Sequence, residues 1–487
     1  MASEHAVDVA SEVAAARAAW PGWQSVALRE RLRVVRRARH AMAERAEELV
    51  AAVETARVRG PGETLGAEVL PTADACRFLE RRARRILAPR RLRAGFSLLW
   101  TGGIAIEIRR DPFGVVLIIG PSNYPLLLPG VQAVQALAAG NAVVIKPSVG
   151  GRPAAEAFAS ILHGAGLDPR LCRVLPETVS AAREAIAAGV DKVVLTGSAP
   201  SGQAVLADLA PRLVPATMEL SGCDAVFIQA DADLDLVVSA LTFGMRLNDG
   251  RTCIGPHRVL VHASLATDLE ERLAPLAAGL ELCDPDPAAT KLARTLAREA
   301  VAAGARLVAG SLDDAQPYRP IVLADASPAM RLLQEDLFAP VLALVSVESD
   351  EAALAANAAC PYALGATVFG AKAAATALAR RIPAGCVVVN DMVAPTADPR
   401  LPFGGRGRSG FGVTRGAEGL LEMTTVKAIA IPRGWWRMHF DDPHPLNGPL
   451  LAACVAAAHA GSIRARLKAT LDLLRTARAL RKARRSR

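Results

Sequence analysis

Cys253 lies in the run NDGRTCIGPHR, and Glu219 lies in MELSGCDA, 34 residues upstream. A thiol can attack an electrophilic carbon, and a carboxylate can then take a proton from water. Together they suit a two-step reaction through a covalent thioester. Either residue alone carries little, because a single cysteine is ordinarily a buried structural residue. Gly250, Gly255 and Pro256 bracket Cys253, which puts it on a loop or turn and not inside a packed helix.

Three further groups have chemistry to offer. Asn123, in GPSNYP, carries an amide donor. With the backbone N–H of Cys253 it could form an oxyanion hole, although a lone Asn equally serves local turn hydrogen bonds. Lys146 ends an apolar run and is followed by Pro147 and Ser148. Its cation could bind ribose hydroxyls or a phosphate, or simply snorkel at a sheet edge. The turn GSAPSG, Gly197 to Gly202, could offer backbone N–H groups to a pyrophosphate, or be an ordinary strand-to-helix turn. No GxGxxG fingerprint follows any apolar run.

The elements that must position these groups are legible as pattern. Residues 5–57 have helical spacing interrupted near Pro21-Gly22, with Leu32, Val35, Ala38, Met42 and Leu49 on one face. A second helix is predicted over 72–88, and an exposed strand over 103–110. Three short apolar runs follow: VVLIIG after Gly114, AVVIKP after Asn141 and VVLTGS after Lys192. Helical segments 129–139 and 153–165 alternate with them. Buried strands alternating with helices predict a parallel, doubly wound sheet. The strand ends carry Pro121-Ser122-Asn123, Lys146-Pro147-Ser148 and Thr196-Gly197-Ser198, and ligands bind at that edge in open α/β sheets. A second α/β series begins near Leu220, with strands at 225–228, 258–263, 341–347, 366–370 and 386–390.

Composition narrows the class. The chain has 487 residues, 52% of them hydrophobic, enough for more than one core. Eight cysteines show no CxxC or other metal spacing. With an acidic opening, MASEHAVDVASE, this predicts a reducing, cytoplasmic setting, free thiols and no metal. The net charge of +9 is concentrated: Arg464–Arg487 holds ten Lys/Arg and one Asp. The remaining chain is charge-balanced, which excludes a basic nucleic-acid-binding enzyme surface. In the tail, Ile463, Leu467, Leu471 and Leu474 recur at helical spacing among Arg and Lys. That is the pattern of a basic amphipathic helix at an anionic membrane surface. The apolar stretch 450–460 is too short to span a bilayer.

The ordered set GPSNYP, GNAVVIKPS, LTGSAPSG, MELSG, NDGRTC, EDLFAPV and PFGGRGRSGFG resembles the aldehyde dehydrogenase superfamily, over roughly Gly114 to Leu421. The amino-terminal region is similar to the class that includes fatty aldehyde dehydrogenases. The resemblance implies two doubly wound, Rossmann-like α/β domains: cofactor binding over 1–219, with the N-terminal helices, and catalysis over 220–425. It also implies a small arm that pairs in a homodimer; residues 426–487 form the linker and basic helical tail. Cys253 matches the nucleophile, Glu219 the general base and Asn123 the oxyanion donor. Lys146 matches the ribose-binding lysine, Gly197, Ser198 and Gly202 the phosphate-facing turn, Asp336 a ribose-binding acid, and Phe338 an apolar neighbour of the nicotinamide. Pro121, Ser122 and Ser148 join the cofactor set at the strand ends.

The implied reaction is oxidation of an aldehyde to a carboxylic acid with NAD or NADP. The charged tail makes a lipophilic aldehyde, fatty or carotenoid-type, the expected substrate. Two alternatives are an acylating, coenzyme A-dependent enzyme and an inactive membrane-associated scaffold. Glu219 argues against the first, since a thiol acceptor needs no water-activating base. The intact set Cys253, Glu219, Asn123 and Lys146 argues against the second. Departures fall around the cofactor. Val149 stands where the family often has a Glu that grips the 2′-hydroxyl, and Arg152 lies near enough in sequence to pair with a 2′-phosphate. This leans toward NADP or dual use. Asp336 replaces a commoner Glu, Ser122 a frequent Trp, and Ser221 and Cys223 the commoner Gly and Lys.

Overall fold

The computed structural model of the chain describes residues 8–92, 104–432 and 438–485. The described residues fall into two compact units, Met1–Leu87 with Asp111–Thr425, and Ala88–Arg110 with Val426–Arg487.

The first unit is built on two sheets. The six-stranded sheet runs in the order Gly410–Phe411, Ala216–Leu220, Lys192–Gly197, Val115–Ile119, Ala142–Lys146, Cys172–Val174. All its pairings are parallel except the antiparallel edge at Gly410–Phe411. Every residue of Val115–Ile119 and of Ala142–Lys146 is buried. Helices cover both faces, which is why these strands read as unbroken apolar runs and not as alternation. The seven-stranded sheet runs Arg306–Ala309, Ile321–Ala324, Val341–Val347, Pro256–His262, Asp224–Ile228, Gly365–Phe369, Cys386–Val389. It is parallel except at the Arg306–Ala309 edge. The chain is thus α/β, with two doubly wound, Rossmann-like sheets.

The N-terminal helices pack on the first sheet's helices. One difference from the sequence reading lies here: helix Val9–Ser25 runs straight through Pro21. Pro21 and Gly22 face solvent, so the carbonyl that proline leaves unpaired can be solvated. On either side, the indole N–H groups of Trp20 and Trp23 donate to the carbonyls of Gly140 and Leu137, which ties the helix down. The break falls instead at Val26-Ala27.

The second unit holds a three-stranded sheet, Arg90–Leu92, Ile104–Pro112, Thr424–Pro432, and a helical hairpin, Asn447–His459 packed on Ile463–Arg485. Trp435 and Trp436 of the expected linker lie outside the described residues. Among the described residues no helix is long and apolar enough to cross a membrane.

Candidate active site

Strand order fixes where a site can form. From Val115–Ile119 the chain winds outward one way through Ala142–Lys146 and Cys172–Val174, then returns to the other side with Lys192–Gly197 and Ala216–Leu220. The crevice at this switch point lies off the carboxyl ends of Val115–Ile119 and Lys192–Gly197. The first of these ends runs into Pro121-Ser122-Asn123, the second into Gly197-Ser198. Both line one cavity of ≈ 240 Å³, together with Glu219, Ser221, Cys253, Asp336 and Phe338.

Cys253 reaches this cavity on a held loop. Asn248 (φ 51), Asp249 (φ 53) and Gly250 (φ 74) are three consecutive left-handed residues. For the two non-glycines that conformation costs of order 1–2 kcal/mol each. The surroundings over-determine it. The Asp249 carboxylate accepts from the N–H groups of Cys283 and Asp284 and faces the buried Arg57 guanidinium. The Asn248 amide donates to the carbonyls of Asn123 and Arg251. At position 250 a side chain would collide with the backbone of Pro340. The Asn123 amide donates one hydrogen to the Arg251 carbonyl at 3.0 Å, leaving its second. Among the described residues nothing accepts from the Cys253 N–H.

Glu219 lies on strand Ala216–Leu220, opposite Thr196 on one side and Gly410 on the other. It is 2% exposed. The Thr414 hydroxyl donates to its Oε2, while Oε1 is buried with no partner among the described residues. Burial pushes the carboxyl above its usual range, partly offset by the Arg415 guanidinium and the Thr414 hydroxyl. Burial also raises the Cys253 thiol, and the carboxylates of Glu219 and Asp224 raise it further. Sulfur at rest is therefore a thiol, and its proton must leave as it attacks.

A second cavity, ≈ 300 Å³, meets Cys253 from the other side. Tyr124, Leu127, Leu128, Phe243, Ile254 and Phe403 give it apolar walls, and Arg415 lies at one edge.

Of the remaining candidates, Ser198, Ser221, Asp336 and Phe338 line the first cavity, whereas Lys146, Ser148, Arg152 and Gly202 are not among its lining residues. Lys146 ends its strand 8% exposed; burial lowers its pKa, against the opposing pull of Glu177. The Ser148 hydroxyl is buried with no partner among the described residues. The Ser198 hydroxyl caps helix Ala199–Leu209 by accepting from the Ser201 N–H. The Gly202 N–H is spent on the Ser198 carbonyl, and a side chain at 202 would strike Leu220, so close helix–sheet packing accounts for that glycine. The Ser221 hydroxyl donates to Asp336, whose carboxyl burial pushes up to about 6. Val149 is 81% exposed. Arg152 is engaged by Glu156 at 2.6 Å, and its backbone N–H donates to Glu177. An orphaned hydroxyl at Ser148, a buried lysine and a polar crevice at a switch point fit a dinucleotide.

Sequence reasoning missed four residues. Thr414 and Arg415 face Glu219 across nearly two hundred residues of chain. Asp224 is buried near Cys253, its carboxyl pushed up to about 7 by desolvation. Glu177 supplies a carboxylate beside Lys146 that Val149 does not. None sits in a run with a signature of its own; the GFG following PFGGRGRS was the one signal pointing toward 414–415.

The fold and the crevice define a class, the NAD(P)-dependent oxidoreductases acting on aldehydes. Residues 1–429 match the aldehyde dehydrogenase family. The chain belongs to that family and is an NAD(P)-dependent aldehyde dehydrogenase. It is 29% identical over 468 residues to the putative succinate-semialdehyde dehydrogenase [NADP(+)] of Mycolicibacterium smegmatis, covering 91% of this chain and 88% of the relative. It is 29% identical over 415 residues to the 4,4'-diapolycopene aldehyde oxidase of a Methylomonas species, covering 82% of this chain and 77% of the relative. Among solved structures, a cysteine-to-alanine mutant of aldehyde dehydrogenase C from Pseudomonas syringae, complexed with NAD+ and octanal, is similar at TM-score 0.78 and 29% identity, covering 87% of this chain and 88% of that one.

Proposed function

We propose that this enzyme oxidises lipophilic aldehydes to carboxylic acids through a Cys253 thioester. The observation that carries the reading is the position of Cys253 between two unlike cavities, one polar with Glu219 and Asn123, the other apolar. The aldehyde chain lies in the apolar cavity with its carbonyl carbon at the sulfur. As the S–C bond forms, the thiol proton passes to the Glu219 carboxylate and on to solvent, and the free Asn123 amide hydrogen and the Cys253 N–H donate to the oxyanion. The bound nicotinamide supplies the hydride acceptor. Glu219, through its unpartnered Oε1, then draws a proton from the water that cleaves the thioester, and the acid leaves. Thr414 and Arg415 hold Glu219 in place and favour its charged form.

Lys146, Ser148, Asp336, Gly197 and Ser198 hold the ribose and phosphate groups, with Phe338, Pro121 and Ser122 along the nicotinamide end. Leu220 marks the turn from cofactor domain to catalytic domain. Val149 leaves room for a 2′-phosphate, but Arg152 is already paired and Glu177 repels it; dual use of NAD and NADP is the reading this supports. A substrate panel of short to long alkanals with each cofactor, followed by reduced-cofactor absorbance, tests both points. Equal rates at all chain lengths would remove the lipophilic preference.

The tail adds a partner surface. In helix Ile463–Arg485, Ile463, Leu467, Leu471 and Leu474 are each more than half exposed. Helical geometry puts them within an arc of about 80°, flanked by Arg464, Lys468 and Arg475. We read this as docking on anionic lipid in the cytoplasm. Co-sedimentation of the full chain with phosphatidylserine vesicles should be lost when Arg464, Lys468 and Arg475 become Glu; binding by both would refute it. The exposed Val426 and Ile431 on strand Thr424–Pro432 support a homodimer built on this sheet. Analytical ultracentrifugation giving a monomer would dismiss it.

A further inference from the structure

The apolar cavity does not end at its own wall. It shares Gly66 and Ala397 with a third, outer chamber of ≈ 500 Å³. A narrow cleft bridges the two, sharing Leu127 and Arg415 with the inner cavity and Pro71 and Phe78 with the outer one. Reading outward from Cys253, the path is mostly apolar first, with Glu63 and Arg415 among its walls, and densely charged last.

The outer chamber is lined by four arginines, Arg77, Arg81, Arg82 and Arg400, against two aspartates, Asp74 and Asp398. Arg400 is matched to Asp398 in a forked pair at 2.9 and 3.0 Å. Arg77, Arg81 and Arg82 have no carboxylate partner among the described residues. They project from helix Leu70–Ile86, at positions that are exposed in the fold. Glu80, on the same helix, is turned away and held by Arg39 at 2.7 Å. Three guanidinium groups within two helical turns repel one another, and the chamber's two aspartates, Asp74 and the Arg400-paired Asp398, leave it with an excess of positive charge. The bordering Arg415 is a buried cation whose Nε has no partner. It lies 4.3 Å over the Phe403 ring. Cations so placed favour an anion arriving along the path.

We propose that the outer chamber binds an anionic group at the far end of the substrate, so that the preferred substrates are ω-oxo carboxylates with a long apolar chain between aldehyde and carboxylate. Guanidinium forks suit a carboxylate, and the apolar segment between Cys253 and the arginines requires methylenes there. The cofactor's phosphates are no rival occupant, because the cofactor cavity shares only Cys253 with this path. The assignment rests on the reading that Cys253 is the reacting atom.

The test compares three aldehydes of equal main-chain length: the ω-oxo carboxylate, its methyl ester and the plain alkanal. In the wild type, kcat/KM for the carboxylate should exceed that for the ester by about 10-fold or more, through KM, and the margin should shrink with salt. In Arg77→Glu/Arg81→Glu the order should reverse, while the alkanal stays within about two-fold. Arg77→Lys/Arg81→Lys should keep most of the preference, separating charge from helix damage. An unchanged ratio in the charge-reversed variant, or a wild type favouring the ester, overturns the proposal. Calorimetric binding of the long-chain α,ω-dicarboxylate, the expected product, gives a readout without turnover. It should weaken by a similar factor in the reversed variant, and equal binding there also overturns it. If no aldehyde is oxidised while the dicarboxylate still binds in this charge-dependent way, the reaction assignment fails and the anion site stands.

Discussion

The two cavities that meet at Cys253 are built from different materials. In the first the walls carry Glu219, Asn123, Ser221 and Asp336, all in crowded hydrogen-bond contact with other elements. In the second they are mostly carbon: Leu127, Leu128, Phe243, Phe403. The difference separates two tasks. A polar wall must hold its groups in register with charge that develops in the reaction, so each is tied to a partner far along the chain. An apolar wall needs only shape and the exclusion of water. Substitutions on the first side should therefore change kcat, and on the second KM for the aldehyde.

The sharpest break comes at the shared atom. Cys253→Ala should remove turnover, by about 10⁴-fold or more, while leaving NAD binding measurable by calorimetry. Residual activity near wild type would end the comparison. Glu219→Gln should slow steady-state turnover by roughly 10²–10⁴-fold yet keep a first burst of reduced cofactor. The wild-type rate should rise with pH through a value above the usual carboxylate range, since burial raises the Glu219 carboxyl and the base works only when ionised. The glutamine variant should lose that limb in a pH–kcat profile. Asn123→Ala should cost about 10²–10³ in kcat with a smaller change in KM. On the other wall, Leu128→Ala should leave kcat near its original value and raise KM for long alkanals by about 5- to 100-fold, corresponding to about 1–3 kcal/mol of lost apolar contact. A kcat effect equal to that of Asn123→Ala would show that the walls do not divide the work.

The smallest effect concerns Asp224, buried beside this junction. Burial pushes its carboxyl up to about 7, well above the usual range for an aspartate. The contribution is full below the unfolded pKa and is lost as pH rises through the folded one. Thermal stability should thus decline between about pH 4 and 7 in the wild type, and less steeply in Asp224→Asn. Scanning calorimetry across that range checks the sign.

Much of this was legible in sequence because it is local. Apolar runs such as VVLIIG and AVVIKP announce strands covered on both faces, and their trailing Pro, Ser and Gly mark the ligand edge. The tail's stripe at 463, 467, 471 and 474 announced its helix in the same way. Pro21 misled, since proline tolerance depends on which side of the helix faces water, and that is a property of the packed fold. Arg152 looked available for a phosphate until Glu156, four residues on in the same helix, took it.

The sequence by itself marked Cys253, Glu219 and Asn123 as candidates for the chemistry, and determined that parallel sheets would carry them. Those facts follow from residue type, short spacing and periodicity. Only the tertiary structure decided what surrounds them. Thr414 and Arg415 reach Glu219, Ser221 meets Asp336, and Arg77, Arg81 and Arg82 line a chamber beyond the apolar cavity. Such contacts join residues far apart in the chain, and their energies depend on burial and mutual distance, which no local pattern records.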